Sequence, residues 1–262
     1  MPDMDLGLHG SQVLITGGSR GLGRVTAETL AAQGCRLALC ARAEGPLRDL
    51  AESLRASYGV EVFARPIDVR DHASLAEFVA DAADSLGGLR GVVANAGGNR
   101  GRGLLESQPD DWSATLDLNV GHAATVTRAA VPHLAGAGGG SVVFVSSISG
   151  WKPSPPAQYA AAKAALVHMS ACLARELAEQ AVRVNSVSPG SMLIPDGGWD
   201  RMRRSDPDRF AAFVAEFPAG RLADPVEVAE VIAFLLSSSA RGINGAHIPV
   251  DGAQNAPSAR GY

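Results

Sequence analysis

Cysteine is scarce in this chain of 262 residues: Cys35, Cys40 and Cys172 are odd in number and show no C-x-x-C spacing. That argues against a disulfide framework and a thiolate metal site, and predicts buried free thiols. The six histidines are scattered without an H-E-x-x-H pair, so nothing predicts a protein-built metal centre. Positive charge is not in excess either. With 23 basic against 27 acidic residues the net charge is −4, and no broad field exists to collect nucleic acid or anionic lipid. Long hydrophobic runs are missing: "VIAFLL" is far too short to span a bilayer, and "MPDMDLGLHG" has no basic n-region ahead of an apolar core. The expectation is a cytoplasmic protein with neither membrane nor nucleic acid as partner.

What is present is a globular composition, 46% hydrophobic, and a regular alternation of short apolar runs with longer helical patterns. "QVLIT" leads to a helix over 21–33, "RLALCA" to one over 46–58, "VEVFARPI" to one over 72–86, and "LRGVVAN" to a long one over 109–134. "SVVFVS" then leads to a helix over 157–180, "VRVNSVS" to one over 225–237, and "AHIPV" closes the series. Parallel neighbours need connections of about a dozen residues or more, so this alternation predicts right-handed βαβ crossovers and a parallel sheet. Strands apolar on both faces call for helices on each side. No linker divides the chain, which reads as one α/β domain over 1–262. The Gly-, Pro-, Asp- and Arg-rich excursion over 191–218 reads as a substrate-binding loop or lid.

The first strand runs into "TGGSRGLG" and then a helix. Gly17, Gly21 and Gly23 let backbone approach a phosphate, and the helix N-terminus offers N–H groups and partial positive charge, so Ser19, Arg20 and Leu22 join them as candidate cofactor contacts. The same letters spell G-x-S-x-G around Ser19, the nucleophile-elbow pattern of a serine hydrolase, with His247 as formal base. Where dinucleotide folds place an acid after the second strand, this chain has Ala41 and Arg42. Arg42 and Arg20 can clamp a 2′-phosphate, which favours NADP(H), with NAD(H) possible. In "QYAAAKAAL", Tyr159 and Lys163 stand one helical turn apart on one face. A phenol of ordinary pKa about 10 needs a neighbouring cation for acid–base work near neutrality. Two charges about 4 Å apart at an effective dielectric near 20 interact by about 4 kcal/mol, nearly three pKa units. Lys163 is therefore expected to acidify Tyr159.

Together these residues resemble the short-chain dehydrogenase/reductase family. The likeness covers nearly the whole chain: "TGGSRGLG", "DV", "NAG", "LNV", "SSISG", "YAAAK" and "NSVSPG" occur in the family's order and approximate spacing. It implies one doubly wound, Rossmann-type domain with a seven-stranded parallel sheet, usually as a homotetramer, with homodimer as the other assembly. It implies a site of Ser147, Tyr159 and Lys163 with Asn119 assisting, Ser147 being chosen over Ser146 because it lies three residues before the glycine. It further implies adenine contacts at Asp68 and Val69, ribose contacts at Asn95, Ala96 and Gly97, and nicotinamide contacts at Pro189 and Gly190. The family's threonine after that glycine is missing from "PGSMLIP", leaving backbone N–H or Ser191 for the carboxamide. The implied reaction is reduction of a small carbonyl compound to an alcohol, with Tyr159 as acid–base catalyst. The alternatives are an NAD-dependent secondary alcohol dehydrogenase of the same family and a non-catalytic dinucleotide sensor. Trp151, Trp199, Met192, Phe210, Phe213 and Phe217 are candidates for an apolar substrate pocket. Arg201, Arg203 and Arg204 are candidates for attracting an anionic one. The open substrate classes are 3-oxoacyl thioesters, steroid or polyketide ketones and small cyclic ketones. The tail "GINGAHIPVDGAQNAP" is expected to pack against a second copy.

Overall fold

The computed structural model describes residues 6–254. Seven strands, β1 Gln12–Thr16, β2 Arg36–Ala41, β3 Val62–Pro66, β4 Gly91–Ala94, β5 Gly140–Val145, β6 Val182–Pro189 and β7 His247–Val250, form one sheet in the order β3-β2-β1-β4-β5-β6-β7. Every neighbouring pair is parallel. Side chains alternate across each strand, so Val13 and Ile15 enter one core while Leu14 enters the other. Helices α1 Gly21–Ala32, α2 Glu44–Tyr58 and α9 Pro225–Leu236 cover the first face. Helices α3 His72–Leu86, α5 His122–Gly136 and α6 Ala157–Glu176 cover the second. The doubly wound α/β fold is the one expected, and strand order reverses between β1 and β4. In such sheets that reversal opens a crevice beyond the carboxyl ends of the strands.

The expected long helix over 109–134 is instead three pieces: α4 Pro109–Leu116, a π turn Asp117–Gly121, and α5. Within the turn the His122 N–H reaches back to the Asp117 carbonyl, five residues away, which inserts an extra residue without breaking the apolar period. The helix expected over 157–180 ends at Glu176, and a 3-10 turn, Ala178–Gln180, leads to Ala181 at φ 56°. Asp224 stops and starts the chain before α9, accepting from Val226 N–H at 2.8 Å while Glu227 accepts from the Asp224 N–H at 3.0 Å. Cys35 and Cys40 are buried, and burial pushes both thiols up to about 12. Cys172 is exposed, contrary to the expectation of three buried thiols.

The excursion over 191–218 carries two short helices, α7 Gly198–Ser205 and α8 Pro207–Val214. Its root is stitched to the stretch before α9: Met192 and Ala223 form an isolated parallel bridge, and Ala223 N–H donates to the Ser191 carbonyl at 3.0 Å. Strand β7 is a partly exposed sheet edge. The rest of the tail expected to meet a second copy, residues 255–257, lies outside the described residues. Among the described residues no helix is long and apolar enough to cross a membrane.

Candidate active site

The β1–α1 turn shows why its glycines are there. Gly17 and Gly21 take φ of 68° and 56°, and a Cβ on Gly23 would lie 2.2 Å from the Gly17 carbonyl oxygen. No side chain caps the N-terminus of α1, and Gly18 N–H donates to the Cys40 carbonyl at 3.1 Å, drawing the end of β2 beside the turn. A tight, backbone-walled turn at an uncapped helix N-terminus fits a dinucleotide pyrophosphate. Ser19 and Leu22 are buried there, while Arg20 and Arg42 are exposed and make no ion pair among the described residues. Ser19 makes no hydrogen bond to histidine among the described residues; His247 instead bonds Ser188 at 2.8 Å near the far edge of the sheet, so no hydrolase triad assembles.

The other predicted cofactor residues follow the carboxyl ends of β3, β4 and β6, on the same side of the sheet as the glycine turn. Asn95 donates to the Thr16 and Gly17 carbonyls at 3.0 and 3.2 Å, fastening the turn after β4 to the glycine turn. Gly97 faces Asn119 Oδ1 and Lys163 Nζ, which would lie 2.7 and 2.9 Å from a Cβ there. Asp68 is gripped by Arg70, at 3.1 Å through Nε and 2.6 Å through Nη2. That hydrogen bond, helped by the nearby charges of Arg70 and Arg42, holds its carboxyl down at about 2. Val69 puts its side chain into the core. Pro189 ends β6 and Gly190 follows it, where a Cβ would lie 2.8 Å from the Asp251 backbone. The Ser191 N–H donates to Gln254 Oε1 at 2.8 Å, and its hydroxyl accepts from Gln254 Nε2 at 3.0 Å. Ser191 is thus tied to a partner 63 positions away, a pairing no local pattern announces.

On α6, Tyr159 and Lys163 share one face as their spacing requires, and the loop after β5 separates the two serines. Ser146 is buried and donates to the Lys163 carbonyl at 2.7 Å. Ser147 Oγ accepts from Ser149 N–H at 3.1 Å and lies close enough to the Tyr159 phenol to pull its pKa down. Asn119 is wholly buried in the π turn, where its amide donates to the Gly98 and Thr115 carbonyls, each at 2.7 Å, and its oxygen accepts from Gly98 N–H at 3.3 Å. Gln158, also wholly buried, donates to the Arg100 and Arg102 carbonyls at 2.9 and 3.2 Å, fastening the loop after β4 to the start of α6.

The expected acidification of Tyr159 by Lys163 is not what the geometry gives. Lys163 Nζ donates to the Val145 carbonyl at 2.9 Å and lies 5.6 Å from the centre of the Tyr159 ring, over its face. Burial pushes the phenol up, with the nearby Ser147 hydroxyl pulling the other way, and burial brings the ammonium down to about 7. Removing both groups from water penalises either charge, and spacing alone carries no information about that term.

The lid candidates mostly satisfy one another. Trp199 stacks on Phe213 at 3.9 Å between centroids, and Phe213 meets Phe217 edge-on at 5.0 Å. Met192 packs against the core, while Trp151 is half exposed and edge-on to His247 at 5.5 Å. Arg203 pairs with Asp200 at 2.9 Å, Arg204 with Asp196 and Asp200 at 2.8 and 3.1 Å, and Arg201 donates to the Asp196 carbonyl. The two aspartates escaped notice in the sequence, although Asp200 stands at helical spacing from both Arg203 and Arg204. Ile194 reaches back over the glycine turn, with its Cγ2 3.4 Å from where a Gly21 Cβ would be.

Residues 17–254 match the family model described as enoyl-(acyl carrier protein) reductase. A 2,5-dichloro-2,5-cyclohexadiene-1,4-diol dehydrogenase, LinX, of Sphingobium indicum is 33% identical over 94% of this chain and 96% of its own. An uncharacterized NAD-dependent oxidoreductase of Mycobacterium tuberculosis is 36% identical over 93% of this chain and 95% of its own. Among solved structures, L-sorbose reductase from Gluconobacter frateurii, complexed with NADPH and L-sorbose, superposes with a TM-score of 0.88 at 31% identity, covering 95% of this chain and 98% of that one.

Proposed function

Because this chain belongs to the short-chain dehydrogenase/reductase family, we propose that it transfers hydride between NADP(H) and a carbonyl or secondary alcohol, working chiefly as a ketone reductase. The observation that carries this reading is the convergence of Tyr159, Lys163 and Asn119 beside one crevice, with Ser147 near the phenol: Lys163 lies over the Tyr159 ring, and Lys163 and Asn119 both stand against Gly97. When bound, the reduced nicotinamide supplies the hydride. The Gly17–Gly23 turn holds the pyrophosphate on backbone N–H groups, Asp68 and the Val69 backbone take the adenine side, and Asn95 to Gly97 with Pro189 and Gly190 line the ribose and nicotinamide side. Ser147 and Tyr159 hydrogen-bond the substrate oxygen, and Tyr159 gives it the proton as hydride arrives on carbon. A phenol that burial keeps protonated suits that donor role, and donors aimed at the growing alkoxide act most in the transition state. Lys163 steadies the ribose and the charge left on the phenol oxygen, and Asn119 sets the turn that completes the proton path.

Arg20 and Arg42, exposed beside the glycine turn, support the choice of NADP(H) over NAD(H), as does the NADPH in the sorbose reductase complex; NAD(H) is the second coenzyme, in line with the mycobacterial relative. The lid over 191–218 closes the substrate side. Because Asp196 and Asp200 occupy its arginines, uncharged ketones are favoured over thioesters on acidic carriers. The open, half-buried edge at β7 supports assembly as a homo-oligomer, with a homotetramer expected. The test is a panel of carbonyl compounds followed by NADPH absorbance beside Tyr159→Phe. The variant is expected to lose several orders of magnitude in turnover while still binding NADPH, and retained turnover overturns the mechanism.

A further inference from the structure

The mechanism makes no use of His122, a wholly buried imidazole at the start of α5. Its neighbours leave it little freedom. Thr16, also without exposure, accepts the Asn95 and Ala96 N–H groups, each at 3.0 Å, so both lone pairs of its hydroxyl are taken and its own proton needs an acceptor out of reach of water. The ring nitrogen Nε2 of His122, 3.3 Å away, is that acceptor. The imidazole proton then sits on Nδ1, which donates to the Leu118 carbonyl at 2.6 Å. That carbonyl needs a donor because of the π turn: the His122 backbone N–H, its ordinary helical partner, goes to Asp117 instead. One residue thus makes the π turn with its backbone and caps the released carbonyl with its side chain. Burial, with Lys163 nearby, holds the imidazole down at about 3, so it stays neutral and keeps this donor–acceptor order throughout the working range.

We propose that His122 is a positioning residue that couples the Asn95–Ala96 turn to the turn carrying Asn119, through Thr16 O–H to Nε2 and Nδ1–H to the Leu118 carbonyl. The inference rests on the reading that those turns serve cofactor and catalysis. Its physical content is that the extra residue of the π turn, which aims Asn119 at Gly98, persists because the freed carbonyl has a donor.

Two readouts test it. In histidine-labelled, cofactor-free protein, nitrogen NMR is expected to show His122 as the Nδ1–H tautomer with no titration between pH 5 and pH 8; an Nε2–H tautomer overturns the proposal. In kinetics, His122→Leu is expected to lower kcat at least tenfold and weaken NADPH binding several-fold. His122→Asn, which can still donate to Leu118, is expected to recover most of kcat but not the NADPH affinity. Thr16→Val combined with His122→Leu is expected to be no worse than the poorer single variant, as for members of one chain. Multiplying effects, or His122→Leu turnover within twofold of the native chain, overturn the coupling. Should His122→Leu fail to fold, Thr16→Ser against Thr16→Val carries the test: serine keeps the hydroxyl and native NADPH affinity, and equal behaviour of the two overturns it. If instead Tyr159→Phe retains turnover, the functional reading fails, whatever the NMR shows.

Discussion

The floor of the crevice and the excursion over 191–218, proposed above as its lid, handle polar groups in opposite ways. In the floor, Asn119, Lys163, Ser146 and Gln158 are buried and bonded largely to main-chain carbonyls of different elements, so moving one side chain means moving a strand end or a helix start. In the lid, Arg203, Arg204, Asp196 and Asp200 bond each other, and three of these four side chains are well exposed. Exposed pairs of this kind contribute little stability, whereas a buried group stripped of its partner is costly. The floor is therefore built to hold atoms still, whereas the charged groups of the excursion are satisfied within it.

Four experiments press on that contrast. Lys163→Met is the harshest for the floor: turnover should collapse while the protein becomes more stable below neutrality. The folded value near 7 lies below the usual 10.5, so charging Lys163 costs the native state most at low pH, by at most about 5 kcal/mol. The stability gap to the native chain should close as pH rises from about 7 to 10.5; a gap that stays constant in denaturant titrations across that window removes the burial argument. Gly23→Ala comes next, forcing a methyl into the Gly17 carbonyl at a cost on the order of 3 kcal/mol, with NADPH binding lost in titration. Arg42→Ala should lower the preference for NADPH over NADH roughly tenfold, about 1.4 kcal/mol, in paired binding measurements. An unchanged ratio rules out the 2′-phosphate contact. Asp200→Asn tests the lid and should be mildest: the unfolding midpoint stays put, and KM for a ketone bearing a carboxylate falls a few-fold relative to a neutral one as Arg203 and Arg204 are released. A lid that unfolds the protein when so altered would abolish the distinction between the two regions.

The floor was more legible in the sequence than the lid, for a physical reason. Strand alternation, glycine spacing and the four-residue interval between Tyr159 and Lys163 are local, and the parallel sheet, the glycine turn and the shared helix face follow from them. The π turn was not legible, because the buried positions Thr115, Asn119, His122 and Ala123 keep ordinary three- and four-residue spacing through it. The direction of the Tyr159 shift was misread because spacing reports proximity and not desolvation. The Gln254–Ser191 clasp joins segments with no sequence signal to link them. In the lid, the stacked Trp199 and Phe213 looked like pocket lining because an aromatic's partner cannot be read from its type.

The bridge between Met192 and Ala223 brings the two ends of residues 193–222 side by side. A different length or composition between those two positions is therefore expected to leave the register of all seven strands undisturbed. On the proposed function, what the enzyme accepts can then be altered in that interval without touching the residues beneath it.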